Sequence, residues 1–500
     1  MPRHLDVRTG SYHDSVTLMQ VSRSVAAEPG VVAAMVAMAT ELNLDLLDGM
    51  GFQRPAGAGP NDLVVAVETA DDDALPGALC ALDTALAGHR RPGPSGDAAT
   101  APPRTVTAAA RDGDATVAFV STPGAHAFVE AMDAVEHELP VIVFSDNVPV
   151  EQEVRLKRAA AARGVLVMGP DCGTAVVGGT GFGFANVVRP GPVGIVAASG
   201  TGAQHVMSLL DAVDVGVSHC LGVGGRDMSA EVGGASTLAA LDLLADDDAT
   251  EVVVVLGKPP APAVADLVHT RAESAGKPVV VAPLGAGGPD LTAVAESVAE
   301  TVGAPWRAPR SWPAPTPRSR PHGHVNGIFS GGTLCDEAML IASAALGPVR
   351  SNTPLRADWA LPEGAPPWGR PGDGHVMIDF GDDALTRGRA HPMIDNTLRI
   401  ERLLAAADDP ACGVVLLDVV LGHGAHPDPA GELAPAISEA REHAGAQERD
   451  LAVVVSLVGT ADDPQGLTRQ ATTLRDAGAS VHLSNAEATR TAVELVEARR

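Results

Sequence analysis

Residues 194–202, GIVAASGTG, form an apolar run that ends in a turn of small residues, and residues 327–334, GIFSGGTL, repeat the pattern. A helical pattern follows each turn. A strand that enters a helix through such a turn leaves several backbone N–H groups unpaired, and these donors and the helix dipole favour an oxyanion. We therefore predict phosphate-binding residues in both turns: Ser199, Gly200, Thr201, Gly202, Ser330, Gly331, Gly332 and Thr333.

Short runs of Val, Ile and Leu alternate with alanine-rich helical segments along the chain. Candidate strands such as 141–144, 193–197 and 252–256 are apolar throughout. Continuous apolar strands between helices predict an α/β fold with parallel sheets covered on both faces. In such sheets ligands bind at the carboxyl ends of the strands.

The repeat extends beyond the two turns. Apolar runs at 252–257 and 277–285 follow the first turn, and runs at 414–418 and 451–459 follow the second. The second copy carries an insertion around 354–371. This pattern predicts two divergent copies of one flavodoxin-like unit.

Proline and glycine mark three candidate boundaries. Residues 90–104 are rich in Pro, Gly and Ala and are predicted to form a loop inside the first domain. Pro190 and Pro192 precede the next apolar run, and the proline-rich stretch 304–321 is typical of a stiff, extended linker. We therefore place the domain boundaries at about 190 and 320.

The composition bounds the partners and the compartment. The net charge of −27 argues against nucleic acid and anionic membranes, which attract basic surfaces. Five scattered cysteines without a CxxC pair indicate reduced thiols, with neither a disulfide framework nor a metal site. The first residues lack the apolar core of a signal peptide, and no run approaches the ~18 apolar residues of a membrane span. We therefore expect a cytoplasmic protein.

Several motifs resemble the α subunit of succinyl-CoA synthetase: STPG at 121–124, GPDCG at 169–173, GPVGIV at 191–196, SGT at 199–201 and GVGGRD at 222–227. The C-terminal third resembles the ligase domain of the β subunit. Over nearly its whole length the chain is most similar to the acyl-CoA synthetase-like FdrA family. The stretches that carry this similarity include YHDSV at 12–16, FSDNV at 144–148, GRAHPMID at 388–395 and GHGAHPDP at 422–429.

The resemblance implies three modules. Residues 1–190 would be a three-layer, Rossmann-like CoA-binding domain, 191–304 a flavodoxin-like α-type ligase domain, and 321–500 a β-type ligase domain after a linker at 305–320. In the synthetases the two ligase domains face each other, and their helix N-termini grip a phosphate on a catalytic histidine. CoA is the implied cofactor, at Ser11, Tyr12, His13, Asp14, Ser15, Ser121, Pro123 and Asn147. Residues 11–15 could equally be helix-capping residues.

The sequence departs from the synthetase pattern at the phosphohistidine. The corresponding loop, PLGAGGPD at 283–290, contains no histidine, and the strand end GKPP at 257–260 lacks the acid that would orient one. A phosphoryl relay needs an imidazole. The chain also contains no recognisable ATP-grasp domain and no P-loop motif. We therefore expect either that the chain needs a partner for activation or that its substrate arrives already activated.

Three further residues are catalytic candidates. His391 and His426, ahead of the nearby His423, could supply an acid, a base or a substitute phosphate carrier, or could simply be loop histidines. Arg226, beside the candidate phosphate-binding residues Gly224 and Gly225, suits a phosphate clamp or a surface salt bridge.

Three functions are compatible with these residues. The first is an acyl-CoA synthetase-like enzyme that transfers an acyl group from an acyl phosphate. The second, implied by the resemblance, is a subunit of an oxamate carbamoyltransferase in allantoin degradation. It would be active only with partner subunits in an oligomer, and a carbamate kinase-like protein would act nearby in the pathway. The third is a non-catalytic scaffold that binds an anion or CoA for regulation.

Overall fold

The computed structural model describes residues 2–11, 13, 15–59, 61–88, 103, 105–314, 323–363, 365–366, 374–386 and 390–497. Tyr12 and Asp14, most of the predicted loop at 90–104 and the linker residues 315–320 lie outside them. The chain divides into two compact units. Unit 1 comprises residues 1–102 and 386–390, and unit 2 comprises the rest. Among the described residues, no helix combines the length and the apolar character that a membrane span requires.

Unit 1 contains an antiparallel sheet. Its elements are β1 (Arg3–Arg8), α1 (Ser15–Ala26), β2 (Val31–Met38), α2 (Glu41–Gly49), β3 (Leu63–Thr69) and α3 (Leu75–Gly88). The strand order is β1-β3-β2, and both pairings are antiparallel. The prediction of one Rossmann-like domain over 1–190 is therefore wrong for this part. An apolar run such as Leu63–Val67 fits a buried antiparallel strand as well as a parallel one.

Unit 2 begins with a small parallel sheet. Its elements are α4 (Val106–Asp112), β4 (Ala118–Val120), α5 (Gly124–Glu136), β5 (Val141–Val143), α6 (Val150–Ala161) and β6 (Val167–Met168). The strands lie in the order β4-β5-β6, and both pairings are parallel. Val141, Val143 and Val167 pack against α5 and α6 in one apolar cluster. This part has the parallel arrangement that the sequence predicted for the first domain.

The second sheet of unit 2 has six strands. Its elements are β7 (Thr174–Val177), β8 (Thr180–Gly183), β9 (Val193–Ala197), α7 (Gly200–Asp211), β10 (Val217–Gly222), α8 (Ala235–Asp246), β11 (Val252–Gly257), α9 (Pro262–Ser274), β12 (Val279–Pro283) and α10 (Leu291–Thr301). The order is β12-β11-β9-β10-β7-β8. The first four strands are parallel, β7 pairs antiparallel with β10, and β8 pairs antiparallel with β7. The predicted boundary at 190 therefore falls inside a sheet, because β7 pairs with β10.

The third sheet has seven strands. Its elements are β13 (Ser311–Trp312), β14 (His324–Phe329), α11 (Gly332–Leu346), β15 (Val349–Arg350), a 3-10 helix (Ala357–Trp359), β16 (His375–Asp379), α12 (Asp383–Thr386), α13 (Thr397–Asp408), β17 (Cys412–Val420), α14 (Pro429–Ala446), β18 (Ala452–Val458), α15 (Leu467–Asp476), β19 (Ala479–His482) and α16 (Asn485–Glu497). The order is β13-β19-β18-β17-β14-β16-β15. Strand β13 lies in the predicted linker and pairs antiparallel with β19, so the linker prediction is wrong at 311–312.

The predicted repeat is confirmed by the strand order. Counted from β9, the parallel strands of the second sheet lie in the order 2-1-3-4, and those of the third sheet, counted from β14 without the short β15, in the order 2-1-3-4-5. This is the flavodoxin-like doubly wound order. The two flavodoxin-like domains share one core, in which Met207 and Leu210 of α7 belong to the same apolar cluster as Leu334 and Met339 of α11.

A segment before β9 fastens the two flavodoxin-like domains together. Asn186 donates from Nδ2 to the Leu421 carbonyl at 3.0 Å and to Asp463 Oδ2 at 2.8 Å. The Val187 amide donates to Asp463 Oδ1 at 2.7 Å, and Ala185 pairs through its backbone with His423. Residues 185–187 therefore follow a hairpin of the second sheet and are held by loops of the third.

Candidate functional site

The two predicted turns touch each other. Ser199 and Thr333 share a hydrogen bond between their hydroxyl oxygens at 2.5 Å. A Cβ atom at Gly331 would lie 2.8 Å from Thr201 Oγ1, and one at Gly202 would lie 3.0 Å from Thr333 Cγ2. Glycine at 331 therefore permits the close approach of the two helix N-termini.

The first turn keeps free donors. Ser199 caps α7 by accepting a hydrogen bond from the Gly202 amide at 3.0 Å. Among the described residues, the amides of Gly200 and Thr201 have no acceptor. Two unpaired N–H groups at the positive end of a helix dipole stabilise a bound anion. This part of the phosphate prediction stays open.

The second turn already holds an anion of the chain itself. Asp418 on β17 accepts hydrogen bonds from the Ser330 amide at 2.7 Å, the Ser330 hydroxyl at 2.9 Å and the Gly331 amide at 2.8 Å. The carboxylate is fully buried and is paired with Arg399 Nη2 at 3.0 Å. The phosphate-binding prediction is therefore wrong for Ser330 and Gly331, because a buried carboxylate occupies their donors.

Two more acids and a lysine lie around the turns. Asp379, at the end of β16, lies beside the second turn, where a Cβ atom at Gly332 would be 2.7 Å from Asp379 Oδ2. Burial, together with the neighbouring carboxylates Asp336 and Asp418, raises the pKa of Asp379 to about 7. Lys258 follows β11 and forms a 2.8 Å ion pair with Asp336 of α11, with 58% of the lysine side chain exposed. The ion pair joins the two flavodoxin-like domains beside the turns.

His391 lies near Asp379. Its Nδ1 accepts a hydrogen bond from the Met393 amide at 3.2 Å, so the proton of the neutral ring is assigned to Nε2. The ring packs 5.4 Å from that of Phe184, and burial lowers the pKa of His391 to about 4. A Cβ atom at Gly381 would lie 2.9 Å from His391 Nε2 and 3.1 Å from Asp379 Oδ1. The His391 ring is thus neutral, and its Nε2–H group lies close to Asp379.

The other two histidines serve the loop that contains them. His426 is buried, its Nδ1 accepts from the Asp428 amide at 3.0 Å and its Nε2 contacts Glu432 Oε1 at 3.0 Å. His423 is exposed and pairs with Ala185 through its backbone. Within the described part of the chain, neither ring hydrogen-bonds to a turn. The prediction that His426 acts at the two turns therefore finds no supporting contact.

Arg226 is committed to partners of its own. Its Nη2 donates to the Val148 carbonyl at 2.8 Å and lies 3.0 Å from Glu153 Oε2. Gly224 has a φ of +88°, and a Cβ atom there would lie 2.4 Å from the Pro170 carbonyl oxygen. The neighbouring Gly225 shares this loop. The loop at 224–226 thus packs on the turn at 169–170, and the structure favours the salt-bridge interpretation of Arg226 over a phosphate clamp.

The predicted CoA-binding residues fall into two groups. Ser121, Pro123 and Asn147 are exposed and follow β4 and β5 at the carboxyl edge of the small parallel sheet, where α5 and α6 begin. Ser11 and His13 belong to unit 1, with 3.3 Å between Ser11 Oγ and His13 Nε2, and Ser15 begins α1. The two groups therefore belong to different units of the chain.

Sequence reasoning missed Asp336 and Asp379, and it did not assign Lys258 or Asp418 to the two turns. Asp379 and Asp418 lie at or near the carboxyl ends of apolar strands, which was a usable signal. Lys258 was considered only as part of the strand end at 257–260, which lacks the acid that would orient a phosphohistidine. Among the described residues, no group of three or more His, Cys, Asp or Glu side chains could hold a metal ion.

Two family models match the chain. Residues 328–495 match the CoA-ligase model, and residues 1–102 match "AllF, heavy metal-associated domain". Solved structures with similarity include a dinucleotide-forming acetyl-coenzyme A synthetase 1 of Ca. Korarchaeum cryptofilum (16% identity, 78% of this chain and 84% of that chain, TM-score 0.28). Another is ATP citrate lyase from Methanothrix soehngenii with citrate and coenzyme A (22% identity, 36% and 31%, TM-score 0.32).

Curated relatives extend the comparison. The chain is 37% identical over 502 residues to the uncharacterized protein YahF of Escherichia coli, and the match covers 94% of both. It is 30% identical to succinate–CoA ligase [ADP-forming] subunit alpha 2 of Archaeoglobus fulgidus, over 31% of this chain and 54% of the relative. Malate–CoA ligase subunit alpha of Methylorubrum extorquens is 28% identical, over 37% and 66%. The chain therefore belongs to the same family as YahF, with a CoA-ligase match in its C-terminal third and an AllF-domain match at its N-terminus.

Proposed function

We propose that the chain transfers an acyl or carbamoyl group from an acyl or carbamoyl phosphate to an acceptor, without a phosphohistidine. The observation that carries this proposal is the open first turn. The amides of Gly200 and Thr201 are free there, whereas the loop at 283–290 offers no histidine. Lys258 supplies a cation nearby, since a Cβ atom at its neighbour Gly257 would lie 2.8 Å from the Cβ of Ala198, which precedes Ser199.

The proposed step is a direct displacement. The acceptor attacks the carbonyl carbon, the bond between that carbon and the phosphate oxygen breaks, and inorganic phosphate leaves with the electron pair. The free amides and Lys258 stabilise the leaving phosphate. The acceptor's proton passes to Asp379, because a carboxyl with a pKa of about 7 exchanges protons readily near neutrality.

Coenzyme A is the acceptor in the first version of this proposal. The support is the CoA-ligase family match together with the exposed carboxyl edge formed by Ser121, Pro123 and Asn147. Calorimetry of the full chain with millimolar CoA tests the binding. An absence of heat would remove CoA from the proposal without affecting phosphate release.

An amide nitrogen is the acceptor in the second version. The match of residues 1–102 to a domain model named for AllF favours it, because the FdrA resemblance implies oxamate carbamoylation in allantoin degradation. This version needs partner subunits and a cytoplasmic supply of carbamoyl phosphate from a carbamate kinase-like protein. Carbamoyl transfer needs oxyanion donors but no phosphohistidine, so it tolerates the missing histidine.

Phosphate release from carbamoyl phosphate tests both versions. It is measured with CoA, and separately with oxamate and the partner subunits. We expect Lys258→Met to lower kcat by about 100- to 1,000-fold and Asp379→Asn by about 100-fold or more. Arg271→Met, which removes a surface cation paired with Asp242, is the control and should leave the rate unchanged. Equal rates in all three variants would contradict the proposed site.

A further inference from the structure

A cavity of about 280 Å³ lies between β11, β12 and α9. Its walls are almost entirely apolar, with Val255 and Val281 from the strands and Ala265 and Val268 from α9. At the carboxyl edge of the sheet it is bordered by Pro259, Pro260 and the loop after β12, and the exposed His269 of α9 also lines it. The apolar side chains of this lining favour hydrocarbon over polar groups.

The cavity shares a wall with the first turn. Gly257 and Met228 both line it, and a Cβ atom at Gly257 would lie 2.6 Å from Met228 Cε and 2.8 Å from Ala198 Cβ. Ala198 is the residue immediately before Ser199, whose turn carries the free amides. The cavity wall at Gly257 therefore packs directly against the residue that leads into the first turn.

The loop that closes the cavity is the one that lacks the histidine. The Leu284 amide donates to the Gly257 carbonyl at 2.8 Å, and the Gly288 amide donates to the Gly285 carbonyl at 3.0 Å. A Cβ atom at Gly285 would lie 3.1 Å from Pro259 Cγ. The loop at 283–288, with the sequence PLGAGG, is thus a compact wall that contributes no titratable side chain to the cavity.

We propose that this cavity binds the hydrocarbon part of a carboxylic acid, so that the transferred group is an apolar aliphatic or aromatic acyl group. The position of the acyl phosphate head at the first turn rests on the proposed function, whereas the filling of the cavity does not. When the ligand enters the cavity, its apolar surface is removed from water. The resulting gain in binding free energy is proportional to the apolar area buried. A carbamoyl group has no hydrocarbon to bury there.

The direct test is a binding measurement that needs no turnover. The ¹⁹F NMR line of 4-fluorobenzoate is followed during titration with the full chain, with Ala265→Phe, and with Leu267→Phe as the matched control. Ala265 lines the cavity, while Leu267 on the same helix is 50% exposed and is absent from its lining. We expect line broadening with the wild type and with Leu267→Phe, and at least a tenfold weaker affinity with Ala265→Phe.

Two results would overturn the inference: the same broadening for all three proteins, or none with the wild type. If Ala265→Phe fails to fold by circular dichroism, Ala265→Leu takes its place, with at least a threefold loss expected. Unchanged binding in that variant would overturn the inference as well.

A second measurement separates this inference from the proposed function. The KM for butyryl phosphate should rise about tenfold or more in Ala265→Phe, while that for carbamoyl phosphate should not change. Turnover of carbamoyl phosphate without any binding of 4-fluorobenzoate would leave the proposed function standing and overturn the cavity assignment. The opposite result is binding of 4-fluorobenzoate that Ala265→Phe abolishes, without turnover of any acyl phosphate. It would support the cavity assignment and overturn the proposed function.

Discussion

The two turns have nearly the same sequence pattern but different occupants. SGTG at 199–202 leaves two amides free, whereas the amides of SGGT at 330–333 are partly filled by the buried carboxylate of Asp418. The same local geometry therefore leaves open donors in one domain and forms an internal ion contact in the other. A turn motif fixes the direction of the donors, and the neighbouring strand decides what they bind.

The strongest test replaces the internal anion. Asp418→Ala leaves Arg399 buried and unpaired, so we expect a loss of about 3–5 kcal/mol in the free energy of unfolding, measured by urea denaturation. Because the variant also empties the second turn, added phosphate should raise its Tm more than that of the wild type. Asp476→Ala, at an exposed pair with Arg475, should cost less than about 1 kcal/mol. Equal phosphate effects on both proteins would show that Asp418 is not a substitute for a bound anion.

The contact between the turns can be tested by a double-mutant cycle. Gly331→Ala places a methyl group about where Thr201 lies, so we expect a cost of about 1–3 kcal/mol from overpacking. Thr201→Gly removes the obstructing side chain, and the double variant should recover part of the loss. Strict additivity of the two effects in urea denaturation would mean that the turns do not press on each other.

We predict that the free energy of unfolding depends on pH through Asp379, a buried acid beside the second turn. The pKa of Asp379 is raised to about 7 in the folded protein, from 3.8. Between these values the folded state holds a proton that the unfolded state has lost, so this contribution to stability is present below pH 3.8 and is lost as the pH rises through about 7. The slope cannot exceed about 1.4 kcal/mol per pH unit for one group. In Asp379→Asn the free energy of unfolding should change less steeply between pH 5 and 8. An unchanged slope would mean that other groups cause the pH dependence.

The smallest expected effect concerns the cap of the open turn. Ser199→Ala removes the acceptor for the Gly202 amide and the hydrogen bond to Thr333, so we expect a loss of about 1 kcal/mol. Ser199→Asp keeps an acceptor but brings a negative charge next to the free amides. It should therefore weaken phosphate binding, measured by calorimetry, more than the alanine variant does. The opposite order would contradict the assignment of the free amides as the anion site.

The sequence predicted the parallel strands and their repeat well, because long apolar runs separated by helical patterns have few alternatives. Strand β9 has the bounds that were expected, and the turns at 199 and 330 begin helices as predicted. The antiparallel sheet of unit 1 was missed because burial on both faces produces the same apolar runs as a parallel sheet. The pairing of β7 with β10 was missed because it is a long-range contact between short strands.

The candidate site was less predictable than the fold. Asp418 is visible in the sequence as an acid at the end of the run 414–417, but its contact with Ser330 spans 88 residues. His426 looked like a free loop imidazole, and the structure engages both its ring nitrogens. Local patterns identify which residues carry chemistry, while their partners come from distant segments.

The fastening at residues 185–187 has a consequence for how the protein can be divided. Two relatives, which match 31% and 37% of this chain, are named as α subunits of CoA ligases. Here a nick near residue 190 would leave the fragments associated, because the stretch from β7 to Val187 is held by β10 on one side and by Asp463 on the other. The same nick would leave β9 and β14 on one fragment, so the two flavodoxin-like domains would stay covalently joined.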